Sequence, residues 1–420
     1  GPVLPAMANC HSHAFQRAMA GLAETGAASR DSFWTWRETM YSFALRLTPE
    51  RLGAIAAQLY VEMLKAGYST VAEFHYLHNT PDGAAYDDPA EMSRRVIDAA
   101  RQAGIAITHL PVLYRHGGFG ETPPDDRQRR FLKSRQELLD IIAELRRIYC
   151  DDPLVRIGLA PHSLRAVGAE DLNDIVSATK RHDPDAPVHI HIAEQRREVQ
   201  ECQDWSGRRP VEWLFENAPV DQSWCLIHAT HMSETEIDAV AASGAVAGLC
   251  PTTEANLGDG LFPLGRFLAT GGRFAIGSDS NVSVSVIEEL RWLEYGQRLA
   301  AERRLVAASG EQPSAGSALY RAALAGGARA TNQPVGALAP GYRADFLVLD
   351  PDHAALVARS GPSLLDGMIF AASSNPVRDV FVGGAQVIDN GHHRREDEIG
   401  DAFARALRSN EGGNNPAPKF

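Results

Sequence analysis

Cysteine is scarce. The 420 residues hold five, Cys10, Cys150, Cys202, Cys225 and Cys250, an odd number with no C-x-x-C pair. This argues against a disulfide framework and a cysteine-rich zinc site, and a reducing cytoplasm is the expected setting. Positive charge is also short: 41 Lys and Arg face 53 Asp and Glu, a net charge of −12. That argues against nucleic acid or an anionic membrane as partner, but leaves room for a small anionic molecule held by local arginines. No basic patch with interleaved aromatics is present. No apolar run reaches the roughly 18 residues of a spanning helix, and no signal-peptide pattern is visible. No G-x-G-x-x-G follows any candidate strand, which weakens a doubly wound dinucleotide fold.

What is present is a large core: 44% hydrophobic and 22% charged residues. Short apolar, β-branched runs predict strands at Val3–Met7, Thr70–Phe74, Ile105–Val112, Val155–Ala160, Val188–Ile192, Trp224–His228, Ala245–Leu249 and Arg273–Ile276. Between them lie helical stretches. Pro49–Ala66 opens after Thr48 and stops at Gly67, and Pro89–Ala103 opens after Asp88 and stops at Gly104. Arg127–Tyr149, Ala169–His182, Arg196–Gln203, Glu234–Ser243 and Val286–Glu302 complete the alternation. Eight strands with helices between them predict an α/β (β/α)8 TIM barrel over residues 1–333. Residues 334–392 carry Gly- and Pro-punctuated short strands and predict a small β-sandwich domain. Residues 393–420 form a C-terminal extension, with a loose tail around Gly412, Gly413, Asn414 and Asn415.

Barrel enzymes keep reactive groups at the C-terminal ends of their strands. His11-Ser12-His13 places two imidazoles on one face of an extended segment, a spacing that suits a divalent metal. His189-Ile-His191-Ile-Ala-Glu194 ends the fifth strand, Ile227-His228-Ala-Thr-His231 the sixth, and Ile276-Gly-Ser-Asp279 the eighth. The gathering of histidines and carboxylates at strand ends points to a metal centre. By spacing alone, either His189 or His191 can be the ligand, with His191 nearer the strand end. Asp279 has a helix-cap reading beside its ligand reading.

These motifs, taken together, resemble the amidohydrolase superfamily and its deaminase branch. The match covers nearly the whole chain, including Pro340-Gly-Tyr-Arg-Ala-Asp345, which resembles the branch's C-terminal β-sandwich. Four stretches resemble the formiminoglutamate deiminase family within that branch. They are His11-Ser-His-Ala-Phe-Gln-Arg-Ala-Met-Ala-Gly, Phe33-Trp-Thr-Trp-Arg-Glu-Thr-Met-Tyr, Glu73-Phe-His-Tyr-Leu-His and Ala160-Pro-His-Ser-Leu-Arg165. The resemblance implies one divalent metal on His11, His13, His191 and Asp279, zinc first and Fe2+ or Mn2+ as alternatives. It implies Glu194, His228 and Asp279 as catalytic groups, and Gln16, Arg37, Tyr76, His162 and Arg165 as the substrate-binding set. The implied substrate is N-formimino-L-glutamate, deiminated through a metal-activated water, and the implied assembly is a homodimer in the cytoplasm. A deaminase of guanine, S-adenosylhomocysteine or a triazine would share the metal site and differ in the pocket. A catalytically inactive barrel scaffold is the remaining reading, and the complete ligand set argues against it.

Three departures or absences bear on this. Ala6 stands where the family usually has Gly, and a second Pro near Ala8 is missing, which concerns loop shape. The family also draws sandwich strands from a segment before the first barrel strand, so either the numbered chain omits those residues or the small domain is expected to lack its N-terminal strands here. No Lys lies near Val155–Ala160, where dinuclear relatives carry a carboxylated lysine, and one metal is expected.

Overall fold

The computed structural model describes residues 1–24 and 33–408, with side chains in the second span from residue 36. The strands expected from the sequence are met closely in the barrel. Four parallel strands, Met7–Ser12, Tyr68–His75, Ala106–Leu113 and Val155–Ile157, form one arc. Val188–Ile192, Trp224–His228, Val246–Leu249 and Arg273–Ile276 form the other. Parallel bridges Leu159↔Val188 and Ser12↔Asp279 join the arcs on their two sides and close a barrel. The fourth strand resumes at Ala160–Pro161 against the third. Gly158 sits at its break, where a Cβ would lie 2.7 Å from the Pro187 carbonyl oxygen and 2.7 Å from Leu110. The strands are buried on both faces, which is why their sequences read as apolar runs rather than alternations.

Helices wrap the barrel where the stop signals predicted. Arg51 N–H donates to the Thr48 hydroxyl over 3.3 Å at the start of Pro49–Lys65, and Gly104 ends Glu91–Ala103 in the left-handed region. The helix expected over Arg127–Tyr149 is instead a short 3-10 turn, Asp126–Gln128, and a helix, Arg135–Ile148. Two observations account for the break. Ser134 and Glu137 make a reciprocal capping box, and fully buried Arg130 donates to the carbonyls of Asn79 (2.8 Å) and Leu47 (2.9 Å), pulling the chain inward. The helix Ala315–Thr331, rich in Ala and Gly and absent from the sequence expectation, closes the base of the barrel.

The strand expected at Val3–Met7 is two strands. Val3–Pro5 pairs antiparallel with Phe346–Leu349, in the register Val3↔Val348 and Pro5↔Phe346, and Met7–Ser12 begins the barrel. Five residues are too few for periodicity to show that the chain changes sheets at Ala6. The small sheet runs in the order Val3–Pro5, Phe346–Leu349, Val377–Val382, Ala385–Asp389, His392–His393. Leu347, Leu349, Val380, Val382 and Ile388 form its buried face. The helix Glu396–Arg408 follows and packs on Pro49–Lys65, with Arg51 Nε donating to the Ala406 carbonyl at 3.1 Å. The tail expected around Gly412–Asn415 lies outside the described residues.

Candidate active site

The first and eighth strands are clasped at their C-terminal ends. Asp279 N–H donates to the His11 carbonyl (2.9 Å), and His13 N–H to the Asp279 carbonyl (3.0 Å). Beneath them Asn9 Nδ2 donates to Ser278 Oγ at 2.7 Å, and Asn9 Oδ1 accepts from the backbone of both His11 and Ser278 at 3.2 Å. Gly277 permits this approach: a Cβ there would stand 2.8 Å from the His11 backbone N and O. Asp279, Asn281 and His228 take positive φ values of 46°, 57° and 72°, so left-handed backbone concentrates at this mouth.

This clasp brings ligand atoms of His11, His13, His191 and Asp279 within 4.8 Å of one another, all buried. His11 Nε2 and His13 Nε2 each lie 3.3 Å from Asp279 Oδ1, and His11 Nε2 lies 3.0 Å from His191 Nε2. Two ligands about 2.0–2.1 Å from a tetrahedral ion stand roughly 3.3–3.4 Å apart, so these separations fit a metal. His13 Nδ1 faces the Phe74 carbonyl (2.9 Å) and His191 Nδ1 the His162 carbonyl (3.1 Å). Each ring donates there, which leaves Nε2 as a lone pair aimed at the shared point. Burial lowers the pKa of all three imidazoles, His11 to about 3, and keeps them in the neutral, ligating form. Burial alone would raise Asp279, but its hydrogen bond to His11 and the surrounding imidazoles outweigh it and hold the carboxyl below the usual range. Neutral lone pairs converging on a buried carboxylate repel one another unless a cation lies between them; the donor set fits a divalent ion.

His189, the alternative on the fifth strand, points to the base, where its Nε2 faces the Ala330 carbonyl at 2.7 Å. His231 turns to the Asp259 carbonyl at 2.8 Å. His228 faces the metal group. Its Nε2 is 3.7 Å from Glu194 Oε1 and 3.9 Å from Asp279 Oδ2. Burial opposes a charge on His228, yet Glu194, Glu254 and Asp279 together raise it well above the usual imidazole range. Glu194 is buried, and desolvation lifts its carboxyl to about 7.

One cavity is lined by His13, His191, His228, Glu194 and Asp279 and also by Gln16, Arg37, Tyr76, His162 and Arg165. Arg37 and Arg165 line the outer groove as well, so they stand between the cavity and its approach. Gln16 Nε2 donates to the Tyr76 hydroxyl at 2.9 Å, and the pair sits beside His13, whose ring centroid is 5.0 Å from that of Tyr76.

Sequence reasoning missed several groups. Glu254, on the helix Pro251–Leu257 after the seventh strand, accepts from His228 Nδ1 (3.2 Å) and from Cys250 N–H (2.9 Å). Its signal was its place just after a strand end, the position the barrel rule singles out. Tyr41, Tyr114 and Gln128 also gather around Arg37, and nothing in their sequence context marks them.

Residues 3–387 match the model of the amidohydrolase family. A formimidoylglutamate deiminase of Pseudomonas aeruginosa is 55% identical over 411 residues, covering 97% of this chain and 89% of the relative. The crystal structure of an amidohydrolase from Brucella melitensis superposes with a TM-score of 0.91 at 48% identity, covering 97% of this chain and 89% of that one. An adenosine deaminase from Xanthomonas campestris, solved with bound zinc, shares the fold at a TM-score of 0.79 and 22% identity, covering 97% and 85%. With the barrel, the strand-end metal group and a family match over most of its length, this chain belongs to the amidohydrolase family.

Proposed function

We propose that this chain hydrolyses N-formimino-L-glutamate to N-formyl-L-glutamate and ammonia, a step of histidine degradation in the cytoplasm. The observation that carries this reading is the cavity that holds the metal group together with two guanidinium groups, Arg37 and Arg165. Two arginine forks match a substrate with two carboxylates. The high identity to a formimidoylglutamate deiminase supports the same substrate.

A divalent ion on His11, His13, His191 and Asp279, zinc by the chemistry of this donor set, would supply an acidic water and polarise the reacting carbon. Fe2+ and Mn2+ suit the same ligands. Asp279 Oδ2, the oxygen turned toward His228, takes the proton of the attacking water. Glu194, whose carboxyl burial raises to about 7, is poised to exchange a proton near neutral pH and gives one to the leaving nitrogen. His228, charged and oriented through Nδ1 by Glu254, presents Nε2–H to the negative charge that builds on the attacking oxygen. Oxygen adds to the formimino carbon, the C–N bond breaks, and ammonia leaves. Gln16, Tyr76 and His162 pack about the reacting end, and the arginines hold the carboxylates.

The test is ammonia release by metal-loaded protein from N-formimino-L-glutamate, compared with guanine, S-adenosylhomocysteine and a triazine. Turnover of the linear substrate supports the reading. Turnover of a ring substrate without it overturns the substrate assignment.

A further inference from the structure

We propose that Tyr114, with Tyr41 beside it, donates a hydroxyl hydrogen bond to the substrate carboxylate gripped by Arg37, and that Gln128 sets the direction of that bond. The inference rests on the substrate reading above and adds a specificity element to it.

The argument is a count of hydrogens. Gln128 is buried in the 3-10 turn Asp126–Gln128. The backbone N–H of Asp125 donates to Gln128 Oε1 at 2.9 Å, which fixes which end of the amide is oxygen. The NH2 end then faces both tyrosines, 2.7 Å from the Tyr114 hydroxyl and 3.3 Å from that of Tyr41. Arg37 Nη2 also reaches the Tyr114 hydroxyl, at 3.2 Å. An amide nitrogen and a guanidinium can only donate. The Tyr114 oxygen therefore accepts twice, and its own hydrogen must point elsewhere. Tyr41 likewise accepts from Gln128 and keeps its hydrogen. Should one tyrosine donate to the other, one O–H of the pair is still left over.

No acceptor for that hydrogen lies within hydrogen-bond distance among the described residues. Both tyrosines are 3% exposed, and both line the cavity of the metal group. A buried O–H without an acceptor is unfavourable. A carboxylate offers about four lone-pair sites and no hydrogen, so it completes this group; a ligand ammonium would meet donors with donors, and a ligand amide offers one uncharged oxygen in place of two charged ones. Arg37, 5.0 Å from the Tyr41 ring centroid, adds the charge. The arrangement selects an anion at this end of the cavity.

The test is steady-state kinetics of Tyr114→Phe. The ring keeps its contacts with Phe131 and His162, at centroid distances of 5.6 Å and 4.6 Å, so only the hydroxyl is lost. KM for N-formimino-L-glutamate should rise about 10- to 100-fold, the loss of one hydrogen bond to a charged group, with kcat changed by less than about threefold. The same comparison is made with the two mono-amides, N-formimino-glutamine and N-formimino-isoglutamine. Whichever lacks the carboxylate at Arg37 should show a smaller penalty in the variant, about 2- to 10-fold, the loss of a neutral hydrogen bond. Gln128→Glu turns the amide donor into an acceptor, draws the hydroxyl hydrogens away from the cavity and should raise KM in the same direction. An unchanged KM in Tyr114→Phe, or an equal penalty on both mono-amides, would overturn the inference while leaving the substrate reading intact. A parent enzyme that fails to turn over N-formimino-L-glutamate would overturn both.

Discussion

Replacing Glu254 with Gln tests whether His228 works as a cation. Glu254 is 4% exposed, and its Oε1 lies 3.2 Å from His228 Nδ1. At an effective dielectric of about 20, a full charge pair at that separation interacts by roughly 5 kcal/mol, which sets the ceiling. The glutamine oxygen can still accept from Nδ1–H and from the Cys250 amide, so what is lost is the difference between a charged and a neutral hydrogen bond. That difference is about 1–2 kcal/mol, or roughly 5- to 30-fold in rate. Glu254→Gln should therefore lower kcat for ammonia release by about tenfold, with KM nearly constant and bound metal, measured by elemental analysis, unchanged. The ring orientation survives in this variant, so a loss in kcat reports on charge. A wild-type kcat would refute the cationic role of His228, and a loss of metal would show that Glu254 supports the ligands instead.

Three further outcomes follow. Glu194→Gln should retain its metal and lose at least about 10²-fold in kcat, the low end for general acid–base catalysis; full activity would remove Glu194 from proton transfer. Asp259 is buried, and desolvation pushes its carboxyl up to about 10, far above its unfolded value. The folded state then holds a proton the unfolded state releases, so this group lowers stability as pH rises from about 4 toward 10. Asp259→Asn should raise the melting temperature at pH 8 by more than at pH 5; an equal shift at both contradicts the assignment. Removing the metal with a chelator should lower the melting temperature, by an amount equivalent to about 4 kcal/mol if the free ion stood at 1,000 times its Kd, and re-addition should restore it.

The metal group was legible because two simple periods converge on it. Residues two apart share a face of a strand, which paired His11 with His13, and strand ends of a barrel share one mouth, which gathered His191, His228 and Asp279. The choice between His189 and His191 was not available from spacing, since both share a strand face; it follows from depth, with Ala330 taking one and the metal group the other. Glu254 had the signal of following a strand end, but a Glu four residues into a helix also reads as an ordinary first-turn acid, and the two readings compete. The break at residues 129–134 was illegible because a buried Arg130 satisfied by backbone carbonyls looks, in sequence, like one more solvated arginine. Val3–Pro5 was assigned to the barrel because apolarity marks a strand without naming its partner, and only the pairing with Phe346–Leu349 places it in the small sheet.

The most direct measurement is a crystal structure of metal-loaded Glu194→Gln with N-formimino-L-glutamate, slowed enough to trap the bound substrate. One ion held by His11, His13, His191 and Asp279, with the formimino carbon beside it and the two carboxylates on Arg37 and Arg165, is the predicted result. An ion on other ligands, or carboxylates turned away from both arginines, would contradict the account.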